Sequence, residues 1–195
     1  MTDQVRRYGA ILADPPWHFR NKKTGGNHTS GASQKYSTMP TVDLCRLPVR
    51  DLAARDAIAF VWGTAAMDQD AREVLAAWGF TYKAQIVWVK TTAAGTPCKG
   101  LGSWFANAAE FLLIGTRGKV PALRCKLPNV VIAPRGPHSV KPEAVWQVIE
   151  TAIDNREDLK PRLEMFARSL RPGWYGWGDQ CEGGITLPDL EGVKA

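Results

Sequence analysis

Asp14-Pro15-Pro16-Trp17 stands directly behind the apolar run Tyr8-Gly9-Ala10-Ile11-Leu12-Ala13. Two consecutive prolines lack amide donors and fix their own φ, so a strand over 9–13 must stop there and present the tetrapeptide at its end. A carboxylate, two rigid carbonyls and a large π-face in that position suit work on the exocyclic amine of an aromatic base. Such an amine is a poor nucleophile, because its lone pair is delocalised into the ring. Two acceptors that take its two hydrogens localise the lone pair, here the Asp14 carboxylate and the Pro15 carbonyl, which is expected to be free because it belongs to no ladder. As a methyl group arrives the nitrogen becomes cationic, and a fixed carboxylate stabilises that state more than the neutral amine. Trp17 is expected to stack on the base, a contact worth about 1–3 kcal/mol. The same four residues also read as a plain strand-ending turn in which Asp14 caps and Trp17 packs. Hydrolysis with Asp14 as general base needs a second acid, a metal or a nucleophile close by, and none is evident, so group transfer fits better.

The elements that must hold this motif follow from periodicity. Short apolar runs alternate with helical patterns, the sign of an α/β sheet with helices on its faces. Strands are predicted at Gly9 to Ala13, Ala57 to Trp62, Tyr82 to Val89, Glu110 to Thr116, Asn129 to Ala133, Arg162 to Ala167 and Trp174 to Trp177. Met67, Ala71, Val74, Leu75 and Trp78 share one face of a helix that Gly79 can end. A second helix runs from Pro142 with Val145, Val148, Ile149, Ala152 and Ile153 on one side. Arg20 to Thr38 and Thr91 to Ser103 fit neither period and read as long polar loops, functional or simply solvated.

With 195 residues, 45% of them hydrophobic, the chain is sized for one domain and one substantial core, expected over 1–180, with 181–195 a peripheral tail. The net charge of +6 favours an anionic partner. Cys45, Cys98, Cys125 and Cys181 show no CxxC pair and no Cys/His spacing, so no metal site is expected. No apolar window approaches the roughly 18 residues of a membrane span, and no signal segment is evident. A cytoplasmic protein with free thiols is the expectation.

With these residues in place, the chain resembles the Asp-Pro-Pro-Trp methyltransferases that make 6-methyladenine, a family that includes the catalytic subunit of the messenger-RNA adenine methyltransferase and related bacterial and phage enzymes. Besides Asp14 to Trp17 the resemblance rests on Tyr36-Ser37-Thr38-Met39, Phe60-Val61-Trp62, Ile86 to Lys90, and Gly102-Ser103-Trp104 followed by Glu110 and Gly115. It continues through His138 to Glu143, Glu164 to Arg168 and Trp177 to Gln180.

That resemblance implies a Rossmann-like, S-adenosylmethionine-dependent α/β domain with helices on both faces, whose catalytic motif precedes the cofactor strand in the chain. The catalytic residues would then be Asp14, Pro15, Pro16 and Trp17. Asp14, Lys141, Glu164, Phe166, Arg168 and Gln180 would hold the cofactor, while Trp17, Tyr36, Lys90, Trp104 and Glu110 would line the substrate face. The implied activity is methyl transfer to the N6 amine of adenine in DNA, on a base flipped out of the helix. RNA methylation and an inactive nucleic-acid-binding partner subunit are the alternatives.

The chain departs from the family in three places, one of them a longer loop from Trp17 to Tyr36. Ser169, Leu170 and Arg171 stand where the messenger-RNA enzyme has Pro-His-Asn, and Asp179-Gln180 where it has Asn-Gln. No cofactor contact by Leu170 or Arg171 is therefore carried over. Taken alone, Lys141 reads equally as a solvent-pointing lysine, Arg168 as a surface ion pair and Glu164 as its structural partner.

Overall fold

In a computed structural model of the chain, the structure describes residues 6–18, 38–100, 102, 104–136 and 140–186. β1 (Tyr8–Ala13) is followed by two short helices, α1 (Thr41–Arg46) and α2 (Val49–Leu52), and by the long strand β2 (Ala53–Thr64). A 3-10 turn leads into α3 (Asp68–Ala77), then come β3 (Thr81–Thr91), β4 (Ala109–Arg117), β5 (Val130–Pro134) and α4 (Glu143–Ile153). β6 (Arg162–Met165) and β7 (Trp174–Trp177) end the sheet.

The seven strands lie in the order β5-β3-β4-β2-β1-β6-β7. β4 runs antiparallel to β2 and β3, and every other pairing is parallel. β1 is buried at all six positions, as befits a central parallel strand covered on both faces. The sequence reading located all seven strands and both longer helices. It drew nothing over Thr41–Leu52, where helices of six and four residues are too short to show a period, and it began β2 four residues late.

Two cores sandwich the sheet. On one face Leu44, Leu52, Val74, Leu75 and Trp78 of the α1–α3 side pack on Ile11, Ala59, Val61 and Leu163. On the other, Val145, Trp146, Ile149 and Ile153 of α4 pack on Leu12, Ile58, Phe60 and Trp62. α3 ends as its sequence implies: Gly79, at φ +86°, lets its N–H reach Ala76 O at 2.9 Å and that of Phe80 reach Leu75 O at 3.1 Å. Trp78, fully buried, donates its indole N–H to Leu44 O at 2.8 Å and so locks α1 against α3.

Residues 181–186 do not hang free of the domain. The Ile185 N–H donates to Gly176 O at 2.8 Å, and its side chain packs on the first core. Among the described residues no helix is long and apolar enough to cross a membrane, and no cluster of His, Cys, Asp and Glu is arranged to hold a metal.

Candidate active site

β1 has β2 on one side and β6 on the other. The chain reaches β2 through helices on one face and β6 through α4 on the opposite face. In an open α/β sheet, ligands bind in the crevice outside the carboxyl ends of the strands where the direction of winding reverses. The residues just past those ends are Asp14 and Phe166, so topology alone brings the exits of β1 and β6 to one crevice.

Side chains alternate between the faces of a strand, so Asp14 lies on the same face as Leu12, and Glu164, opposite Leu12 in the ladder, shares it. Trp62, Trp88, Lys90 and Glu110 reach that α4 face from the neighbouring strands, and Lys141 arrives from the segment leading into α4. Lys141 Nζ donates to Asp14 Oδ2 at 2.6 Å and lies 3.5 Å from Glu110 Oε2. Lys90 Nζ donates to the other oxygen of Glu110 at 3.1 Å. The result is an alternating row, Asp14, Lys141, Glu110, Lys90, over two tryptophans set edge to face at 6.2 Å between centroids. Lys141 Nζ stands 5.2 Å from the Trp62 ring and Lys90 Nζ 5.9 Å from that of Trp88. A lysine before a helix start opposes the helix dipole unless anions face it, and Asp14 and Glu110 are those anions. The solvent-pointing alternative for Lys141 is thereby excluded.

Two expectations for the tetrapeptide are corrected. Trp17 is 6% exposed, its ring belongs to the first core, and its indole N–H donates to Trp62 O at 3.0 Å. It has no open face for a base, and it anchors the exit of β1 to β2 instead. The Pro15 carbonyl is not free either: it accepts the Trp17 N–H at 2.9 Å in a tight three-residue turn about Pro16, which leaves it one lone pair. Pro16 O accepts the Met39 N–H at 2.7 Å, and the His18 N–H reaches Met39 O at 3.3 Å. Trp17 and Met39 are thereby bridged at the motif itself. Tyr36 lies outside the described residues.

The exit of β6 forms the opposite lip. Burial pushes the Glu164 carboxyl up to about 7; the Arg171 cation works against that shift, and the Asp14 carboxylate adds to it. Among the described residues no cation lies within ion-pair distance of Glu164, so Arg171 acts on it only through space. Phe166 sits at φ +59°, a left-handed conformation that strains a bulky residue by about 1–3 kcal/mol, and its ring meets Trp177 edge-on at 5.4 Å. Gly178 lets the two strand exits close up, since a Cβ there would run into the backbone of Ala167. Arg168 and Gln180 lie on the exposed turns beyond β6 and β7. Trp104 is 93% exposed on the connection between β3 and β4, apart from the charged row.

Sequence reasoning missed Arg171 and Trp146. The Arg171 guanidinium lies 3.8 Å from the Trp146 ring centroid and donates to Glu143 Oε2 at 3.1 Å, tying the first turn of α4 to the β6–β7 connection. Seven residues along the same helix, Glu150 accepts from Arg162 at 3.0 Å and from Trp174 Nε1 at 2.5 Å. The i, i+7 spacing of Glu143 and Glu150 was the available signal for a helix held by two acidic residues on one face.

The strand exits thus bring together an ammonium, Lys141, and a desolvated carboxyl, Glu164, groups of the kinds that bind the carboxylate and the ribose hydroxyls of S-adenosylmethionine. Comparison with known proteins agrees. The chain is 31% identical to the type II methyltransferase M.MunI of a Mycoplasma species over 94% of its own length and 79% of that protein. It is 29% identical to the mouse N(6)-adenine-specific methyltransferase METTL4, over 90% of this chain and 38% of that one, and 26% identical to the zebrafish N(6)-adenosine-methyltransferase subunit METTL3, over 96% and 30%. The chain thus spans less than half of either vertebrate relative. Residues 8–180 match the MT-A70 family model, which takes in both lips of the crevice and the whole charged row; the chain belongs to the MT-A70 family, whose methyltransferases use S-adenosylmethionine.

Proposed function

We propose that this protein transfers a methyl group from S-adenosylmethionine to the N6 amine of adenine in DNA. The observation that carries the reading is Asp14 at the switch point, with Oδ2 held by Lys141 and Oδ1 left without a hydrogen-bond partner among the described residues. Oδ1 then accepts one amine hydrogen and the remaining lone pair of Pro15 O the other, which localises the nitrogen lone pair. Because Lys141 fixes the carboxylate before reaction, its field is aimed at the charge that develops on nitrogen and needs no reorganisation. Oδ1 is also the atom placed to take the proton that the amine sheds.

S-adenosylmethionine supplies the electrophilic methyl group. On this reading Lys141 binds its carboxylate, Glu164 accepts from its ribose hydroxyls, and Phe166, Arg168 and Gln180 border its adenosine end. Glu110 and Lys90 support Lys141 and the substrate face, and the exposed ring of Trp104 stacks on a base of the nucleic acid.

The finding on the side of DNA is the match to the type II methyltransferase M.MunI along 94% of the chain; the net charge of +6 suits the phosphate backbone of either nucleic acid. The match to the adenosine methyltransferase subunit METTL3 over 96% of the chain is the observation on the side of RNA. Transfer of labelled methyl to matched DNA and RNA oligonucleotides separates the two. Incorporation into DNA is expected, and incorporation into RNA alone overturns the choice. S-adenosylmethionine at a hundred times its dissociation constant should also stabilise the fold by about 2.7 kcal/mol, and no thermal shift favours a non-catalytic subunit.

A further inference from the structure

Among the described residues the sheet ends at β5, and none of them pairs with that edge. The Val87 N–H donates to Asn129 O at 2.7 Å and the Arg135 N–H to Thr91 O at 3.1 Å, which fixes the phase of the parallel β3–β5 ladder. Odd-numbered residues of β5 turn their backbone groups to β3. The N–H and C=O groups of Val130 and Ile132 therefore point away from the sheet, and they meet no partner among the described residues. Their side chains stand on the face away from α4, 45% and 70% exposed. Free sheet edges are usually blunted by charges, and from Leu127 to Pro134 there is none.

We propose that this edge pairs antiparallel with β5 of a second copy of the chain, about a two-fold axis at Val131. The sequence Pro128-Asn129-Val130-Val131-Ile132-Ala133-Pro134 is self-complementary in that register. Val130 faces Ile132 of the other copy, and each of these two pairs exchanges two backbone bonds. One step further out, Pro128 meets Pro134, and neither has an N–H to leave unpaired. The prolines thus bound a four-bond ladder at both ends and forbid slippage to longer registers. An unrelated extended peptide has no reason to match that spacing, which is why the occupant is a second copy. Across the axis the exposed Val130 and Ile132 side chains cover each other as cross-strand pairs.

The contact is small beside a standard interface of about 1,600 Å², so a concentration-dependent monomer–dimer equilibrium is expected and not a permanent dimer. Antiparallel joining sends the carboxyl ends of the two sheets in opposite directions, so both crevices stay open. Sedimentation velocity over rising concentration should show the dimer. Ile132→Lys, on an exposed side chain outside the catalytic row, should raise its dissociation constant about tenfold or more with methyl transfer by the monomer unchanged. Val131→Cys, with Cys125→Ser to remove the exposed native thiol, should cross-link to its own copy on mild oxidation. Residues at such a non-hydrogen-bonded site face each other at about 4.5 Å between Cα atoms, within disulfide reach. A chain that stays monomeric at every concentration, a dimer indifferent to Ile132→Lys, or a dimer that never cross-links through residue 131 overturns the proposal.

Discussion

Asp14 and Glu164 are carboxylates on the same face of the sheet at adjacent strand ends, and their surroundings treat them in opposite ways. Asp14 is clamped by a lysine at 2.6 Å. Glu164 has no cation at ion-pair distance among the described residues, and burial raises its carboxyl to about 7. Different surroundings are how one site assigns two acids different tasks. On the proposed mechanism, the carboxylate that stays negative until the methyl group has moved has its counter-ion built into the fold. On the same reading, the one that takes ribose hydroxyls is kept desolvated, so that a ligand completes its hydrogen bonds. The fold supplies this contrast through connectivity: α4 delivers Lys141 to β1 and, through Glu143 and Arg171, stops its second cation short of Glu164.

The harshest way to break the contrast is to remove the charge at Asp14 and keep its shape. Asp14→Asn should lower the rate of the methyl-transfer step by about 10³-fold, the scale set by the loss of one preorganised electrostatic contact. Lys141 keeps Glu110 as a counter-ion, so the melting temperature should fall by no more than a few degrees. Single-turnover transfer of labelled methyl to a DNA oligonucleotide measures the first, and calorimetry the second. Near-normal turnover would place the reacting amine elsewhere. Lys141→Met comes next. It deletes the cation but keeps the stem, so the expected loss is the 1.5–3 kcal/mol of a charge-assisted bond, about 10–100-fold in S-adenosylmethionine affinity by titration calorimetry. Unchanged affinity would leave Lys141 a partner of Asp14 and Glu110 and of no ligand.

How far the sequence exposes this arrangement depends on the range of the interactions. β1 was legible because its apolar run is long compared with the strand period, β6 because Leu163, Met165 and Ala167 recur at every second residue, and the stop at Pro15-Pro16 is dictated by the residues themselves. The site row was legible only in its members. No spacing shows that Lys141 crosses 127 residues to meet Asp14. Trp17 was misread because residue type does not say which face a side chain takes after a proline pair; the carbonyl of Trp62 decides it. The Pro15 carbonyl was misread for a related reason, since a tight turn uses an acceptor that no ladder claims. Arg171 carries no local signal at all, because its meaning lies in Trp146 and Glu143 on another element.

Glu164→Gln makes the smallest change and sharpens the contrast most. The wild-type carboxyl titrates near 7 in the fold against an ordinary 4.5, so between those values the folded chain holds a proton that the unfolded chain has lost. Its contribution to stability is complete below about pH 4.5 and disappears as pH rises through 7, with an upper bound on the order of 3 kcal/mol. Glutamine keeps the neutral form at every pH. The variant without ligand should therefore melt several degrees above the wild type at pH 8 and close to it at pH 5, at about 2–4 °C per kcal/mol for a chain of this size. Ligand binding should run the other way. Hydroxyl donors favour the carboxylate, so wild-type affinity for S-adenosylmethionine should rise with pH through 7, while that of the variant stays flat. A variant that melts like the wild type at both pH values would mean that Glu164 is as well solvated in the fold as in the unfolded chain, and the contrast drawn from its burial would vanish.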